Sequence, residues 1–214
     1  MKKLLTIALL LTGSYLFAQS GLSVRLHGYA LYAFADNHVD SYYSDIDYFE
    51  GKIEGGFQYG GGLEVLPAPA IGVEFTYLRL DSKAPMEYYN DGIQYTDFDL
   101  AQNWLFLGFN KYIPVNPKFE PFAGVQLGMD ILNVENPDNG NSGSETKFAW
   151  GFKAGAHVWV NEKVGLKLQL GLMSAVQAMG GGIYFGTGGA GAGVSGFSTY
   201  YQFNLGGGLV FKVR

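Results

Sequence analysis

Residues 165–172 alternate without a break, Leu166, Leu168, Leu170 and Leu172 being separated by Lys167, Gln169 and Gly171. Successive side chains of a strand point to opposite faces, so this spacing predicts a strand with one apolar and one polar side. The same dyad recurs in about eight segments. The first sets Val24, Leu26, Gly28, Ala30, Tyr32 and Phe34 against Ser23, Arg25, His27 and Tyr29. In the second, Ile53, Phe57, Tyr59, Leu63 and Val65 oppose Glu54, Gln58, Gly60, Gly62 and Glu64. Ile71, Val73, Phe75 and Tyr77 oppose Gly72, Glu74 and Thr76 in the third. The fifth has Phe119, Pro121, Ala123, Val125, Leu127 and Met129 against Glu120, Gln126 and Asp130. The sixth sets Phe148, Trp150, Phe152, Ala154, Ala156 and Val158 against Lys153, Gly155 and His157. The last carries Tyr201, Phe203, Leu205, Leu209, Phe211 and Val213 on one side, with Gln202, Asn204, Gly206 and Lys212 on the other.

The fourth segment, residues 98–112, is apolar on both faces. We place Leu105, Leu107 and Phe109 inward with Asp99 and Lys111, and Trp104 and Phe106 outward. The connections between segments alternate in length. Residues 66–70, 114–118 and 161–163 make short turns, whereas 36–52, 81–97, 133–147 and 175–198 read as long polar or glycine-rich loops. Aromatic residues gather toward the segment ends, as in Tyr32/Phe34, Phe75/Tyr77, Phe148/Trp150, Tyr112/Phe119 and Phe211. Apolar-out strands, two aromatic girdles, tight turns on one side and long loops on the other predict an all-β, transmembrane antiparallel up-and-down barrel of about eight strands.

The start of the chain fits that destination. Met1-Lys2-Lys3, an apolar run and Ala18-Gln19 have the order of a secretory signal peptide, with cleavage expected after Ala18. The barrel domain is then residues 19–214, and the run is too short for a spanning helix. Later segments offer no apolar run of helical length, although 48% of residues are hydrophobic and the mean hydropathy is +0.06. Membrane contact therefore has to rest on strands. Cysteine is absent, which excludes disulfides, thiol chemistry and a lipoprotein anchor. A net charge of −5 argues against nucleic acid, whose binding needs a basic surface.

With these features the chain resembles the small outer-membrane barrels of the OmpA/OmpX type and, more loosely, the porin-family barrels of Bacteroidetes-like bacteria. The resemblance is carried by Ala18-Gln19, by Glu120-Pro121-Phe122-Ala123-Gly124-Val125-Gln126-Leu127-Gly128, and by residues 151–160 running into Asn161-Glu162-Lys163-Val164-Gly165-Leu166-Lys167-Leu168. It implies a Gram-negative outer-membrane location and contact with outer-membrane lipid and lipopolysaccharide. It also implies delivery by periplasmic chaperones and the barrel-insertion machinery. A monomer is expected. Such barrels often end on an aromatic residue, whereas this chain ends Phe211-Lys212-Val213-Arg214.

An eight-stranded barrel is wide enough only for its own side chains. The inward charges Arg25, Lys153, Lys167 and Lys212 are therefore expected to pair with Glu54, Glu64, Glu74 and Glu120 in a structural network across the lumen. The inward set also takes in Asp130. Leu105, Leu107, Phe109 and Phe122 are a candidate apolar pocket, which would suit a narrow channel for small hydrophobic solutes of the OmpW type. His27 and His157 face inward, and Ser23 and Ser174 lie near strand ends. They form no compact Ser/His/acid cluster in sequence, so a lipid-modifying enzyme is the weakest reading and no catalytic residue is assigned. Carboxylates crowd the outer segments, including Asp36, Asp40, Asp45, Asp47, Asp81, Asp97, Glu135 and Asp138, but without the spacing of an EF-hand loop. The glycines of 180–193 lack the Gly-Lys-Ser/Thr of a phosphate cradle. No metal or cofactor is expected. The function expected from sequence is a filled barrel with a structural or surface-interaction role through acidic external loops.

Overall fold

The computed structural model describes residues 22–43, 48–89, 93–113, 115–176, 182–186, 189–193 and 200–213. The expected signal peptide, residues 1–18, lies outside the described residues, as do Asp45, Asp47 and part of the glycine-rich stretch. Among the described residues twelve strands follow one another: β1 (Ser23–Ala33), β2 (Asp36–Tyr43), β3 (Tyr48–Ile53), β4 (Gly56–Ala68), β5 (Ile71–Tyr89), β6 (Ile93–Tyr112), β7 (Phe119–Glu135), β8 (Ser142–Trp159), β9 (Val164–Val176), β10 (Gly182–Gly186), β11 (Gly189–Gly193) and β12 (Tyr200–Lys212).

Eight of them close a ring. β1 pairs with β4, each neighbour then pairs in chain order through β5, β6, β7, β8 and β9 to β12, and β12 pairs back onto β1, every pair antiparallel. Closure leaves the ring without an edge inside the membrane, where an unpaired backbone group would be costly. Leu168, Leu170, Phe203 and Leu205 are exposed on the outer wall, while Lys167, Gln169, Gln202 and Asn204 are buried inside. The expected strand faces hold in β1, β5, β7, β8, β9 and β12. No helix is long and apolar enough to cross a membrane among the described residues.

Three expectations need correction. The segments read as long loops at 36–52 and 81–97 are largely strand: β2 and β3 pair with each other, β3 pairs with β5, and β5 and β6 stay paired out to Tyr89↔Ile93. Asp, Ser and Glu crowd these segments and look like loop in sequence, yet β5 and β6 keep one face buried there, at Ala84, Met86, Thr96 and Phe98, and only the other face is polar and exposed. Likewise β7 and β8 remain paired to Glu135↔Ser142, leaving a tight turn in which Gly140 takes φ +72° and donates its N–H to the Asn136 carbonyl at 2.8 Å. β10 and β11 form a small separate hairpin within the glycine-rich stretch.

The second correction is the register of β6. Trp104 and Phe106 are 0% exposed, whereas Leu107 and Phe109 are 51% and 54% exposed. The even-numbered residues face the lumen, so Asp99 and Lys111 lie outside, and Tyr112, expected in a girdle, is buried within. Third, Glu54 and Gly55 interrupt the strand between β3 and β4 and shift the alternation. Ile53 is consequently buried and Glu54 stands outside.

Candidate functional site

The lumen is filled in two zones. The outer zone is an apolar cluster that includes Leu31, Leu78, Met86, Phe98, Trp104, Phe106 and Met173. Amide pairs accompany it: Gln202 donates to Gln102 and Asn204 to Gln58, both at 3.2 Å, and the Tyr200 hydroxyl donates to Asp130. Nearer the short turns lies the charged zone, where β1, β4, β5, β6, β7, β8 and β9 each supply side chains.

Glu74 of β5 is the hub of that zone. Its carboxylate takes Lys153 Nζ at 2.6 Å, Lys167 Nζ at 3.5 Å, Asn110 Nδ2 at 2.8 Å and the Tyr29 hydroxyl. Lys167 also donates to Tyr29 Oη at 2.7 Å and lies over the Tyr29 and Phe122 rings at 4.7 and 4.9 Å. Glu64 of β4 accepts from the Tyr112 hydroxyl at 2.6 Å and from Asn110 Nδ2 at 2.7 Å, with His27 Nε2 at 3.3 Å. Arg25 forks onto Glu120, its two terminal nitrogens lying 2.9 and 3.0 Å from the two carboxylate oxygens. His157 Nδ1 lies 3.2 Å from Glu120. Arg25 further stacks over Tyr112 and Trp159.

Room for the two central carboxylates comes from glycines on the lumen face. A β carbon at Gly72 would sit 2.7 Å from the Glu64 carboxyl carbon, and one at Gly62 would sit 2.8 Å from Glu74 Oε1. Glu64 is fully buried and held by Tyr112 and Asn110, so Gly72→Ala is expected to lower stability by about 1–3 kcal/mol, the usual range for overpacking. Gly28→Ala is the control, since its added methyl meets nothing within 4 Å. Urea unfolding of both variants measures the difference.

Charges in this zone balance: Arg25, Lys153 and Lys167 face Glu64, Glu74 and Glu120. A buried ion is tolerated only with a partner, and each of these three carboxylates has a lysine or arginine nitrogen within 4 Å. His27, Glu64 and Glu74 also bring ligand-type atoms within 4.8 Å of one another. The ammonium groups of Lys153 and Lys167 already sit against Glu74, and Tyr112 and Asn110 against Glu64, which are the positions a metal cation would compete for.

Six of the eight residues expected in the network come together: Arg25, Glu64, Glu74, Glu120, Lys153 and Lys167. Glu54 does not, being half-exposed and 3.7 Å from Lys52. Lys212 sits at the lower rim over the Trp159 ring, 3.8 Å from its centre, outside the ion pairs. The apolar pocket is not formed: Leu105, Leu107 and Phe109 belong to the outer wall, while Phe122 is buried against Tyr112 and His157. The sequence pattern alone gives Tyr29, Asn110 and Tyr112 no hydrogen-bonding part. Inward tyrosines and an asparagine among carboxylates and lysines are the signal for them, legible for Tyr29 but hidden for the other two by the inverted β6.

Outside the barrel, the extended strands form a polar groove of about 700 Å³, lined by Asp81, Lys83, Asp99, Asn133, Glu135 and Ser144. Lys83 pairs with Asp99 at 2.8 Å, and Arg79 with Asp81 at 2.6 Å.

No protein-family model matches the chain, and no curated protein matches it. Solved structures do. Neisserial surface protein A is 16% identical, with a TM-score of 0.55 over 90% of this chain and 97% of that one. The outer membrane protein OprG from Pseudomonas aeruginosa is 12% identical, with a TM-score of 0.56 over 90% and 96%. The fold is that of the small outer-membrane β-barrels. The outer membrane protease OmpT from Escherichia coli shares it too, at 9% identity and a TM-score of 0.53 over 89% and 96%. Proteins of such different names on one architecture leave function to the site and not to the fold.

Proposed function

We propose that this chain is an outer-membrane β-barrel protein with a closed lumen and a structural or surface-interaction role, exercised through the acidic strands and turns beyond the barrel. The observation that carries the reading is the double filling of the lumen, a neutral set of buried ion pairs beneath an apolar cluster. A wall of exposed Leu, Phe and Tyr supports residence in lipid, and the Lys-rich, apolar start of the chain supports export by a cleaved signal over residues 1–18. The polar groove supports contact with a partner at the cell surface. The reading is non-enzymatic: the polar partners of His27 and His157 are Glu64, Glu120 and Arg25, which serve packing and charge balance.

The absence of cysteine makes a clean test available. Tyr95→Cys lies on the outer part of β6 and Asn161→Cys in a short turn. On intact cells a membrane-impermeant maleimide is expected to label Tyr95→Cys and to reach Asn161→Cys only after lysis. Equal labelling of both on intact cells, or recovery of the protein in the soluble periplasmic fraction, would contradict the reading.

A further inference from the structure

On the lipid-facing wall lies an apolar groove of about 670 Å³, one end of which, at Ile71 and Lys111, is near the short turns. It arises from side-chain size: cross-strand pairing sets Lys111 beside Ala123 and Ala123 beside Ala154, while the next outward row carries Phe109, Phe152 and Leu172. Small side chains beside tall ones leave a hollow in the wall.

Lys111 gives the hollow a direction. It is exposed, faces outward beside Ala123, and has no carboxylate within ion-pair distance among the described residues. An ammonium on a lipid-facing wall is costly unless its stem reaches the interface and its charge finds a counter-ion. β6 ends one residue later, at Tyr112, so Lys111 stands near the short-turn end of the wall, which the outer-membrane reading turns toward the headgroups of the periplasmic leaflet. The counter-ion available at that depth is a lipid phosphate.

We propose that this groove is a binding site for an anionic phospholipid of the periplasmic leaflet, with the phosphate on Lys111 and one acyl chain lying between Phe109, Phe152 and Leu172. The proposal rests on the outer-membrane reading, because the groove meets lipid only if the wall does. Shape holds the chain and charge selects the headgroup, so the two contributions separate by mutation.

The test uses the full-length barrel in detergent micelles, with phosphatidylglycerol and phosphatidylethanolamine titrated separately and adducts counted by native mass spectrometry. The protein is expected to retain phosphatidylglycerol about fivefold better, the usual effect of one basic residue at a membrane surface. Lys111→Gln removes that preference and Lys111→Arg keeps it. Ala154→Phe fills the hollow and lowers retention of both lipids. Equal retention of the two lipids by the unmodified protein, an unchanged preference in Lys111→Gln, or a protein dimer in place of a lipid adduct would overturn the proposal. Heat-modifiable gel migration monitors folding, and Lys111→Gln, which alters only an outward side chain, keeps the test open if Ala154→Phe misfolds. Failure of the unmodified protein to insert into lipid vesicles would instead bring down the barrel reading itself.

Discussion

Glu74→Gln is expected to cost the folded barrel about 3–5 kcal/mol, the range seen when one partner of a buried ion pair is removed. The carboxylate is 0% exposed and receives Lys153 at 2.6 Å and Lys167 at 3.5 Å. Neutralising it leaves two buried ammonium groups near each other without their shared carboxylate, with Glu64 committed to Tyr112, Asn110 and His27. The urea midpoint of the reconstituted barrel should fall accordingly. Adding Lys153→Met to Glu74→Gln should restore part of the loss, because it removes one stranded charge. A single variant as stable as the unmodified protein would mean that Glu74 is not the hub.

Leu168→Arg should cost about 2–4 kcal/mol, the penalty for arginine near the midplane of a barrel's lipid face. Leu168 is 58% exposed on β9, and its cross-strand neighbours Ala156 and Gly207 offer no polar partner. Tyr95→Arg is the control: it is also exposed, but lies on the ribbon beyond the barrel, where arginine meets water. Unfolding in lipid vesicles should separate the two variants clearly. Equal stabilities would mean that the exposed leucines face something other than lipid.

How far the sequence carried the fold depended on contrast between faces. In β9 the inward Lys167 and Gln169 differ so sharply from Leu166, Leu168 and Leu170 that the face of each residue is legible. In β6 both faces are apolar, because the even face builds the lumen's apolar zone with Phe98, Trp104 and Phe106 while the odd face meets lipid with Leu107 and Phe109. Period-two patterning carries no orientation there, and the inverted register put the apolar pocket on the wrong side of the wall. Glu54 leaves the lumen for another reason: it and Gly55 lie outside any strand and break the alternation between β3 and β4.

The members of the charged zone were mostly legible, their pairing was not. Tyr29 and Lys167 meet across 138 positions of chain, and Arg25 and His157 across 132. Such contacts depend on how the ring closes and by how much its strands are staggered, which no local pattern encodes. The glycines at positions 62 and 72 are a further case: their alternation reads as a thin polar face, whereas in the barrel they are the space that Glu64 and Glu74 occupy.

Single-barrel conductance in planar bilayers tests the closed lumen most directly. On the proposed reading, Arg25, Lys153 and Lys167 held against Glu64, Glu74 and Glu120, beneath an apolar zone containing Trp104 and Phe106, leave no continuous path for water or ions. The purified, unmodified protein is expected to insert and to show no stable conductance. Large, steady, ion-selective currents would contradict the filled lumen and turn the protein into a channel.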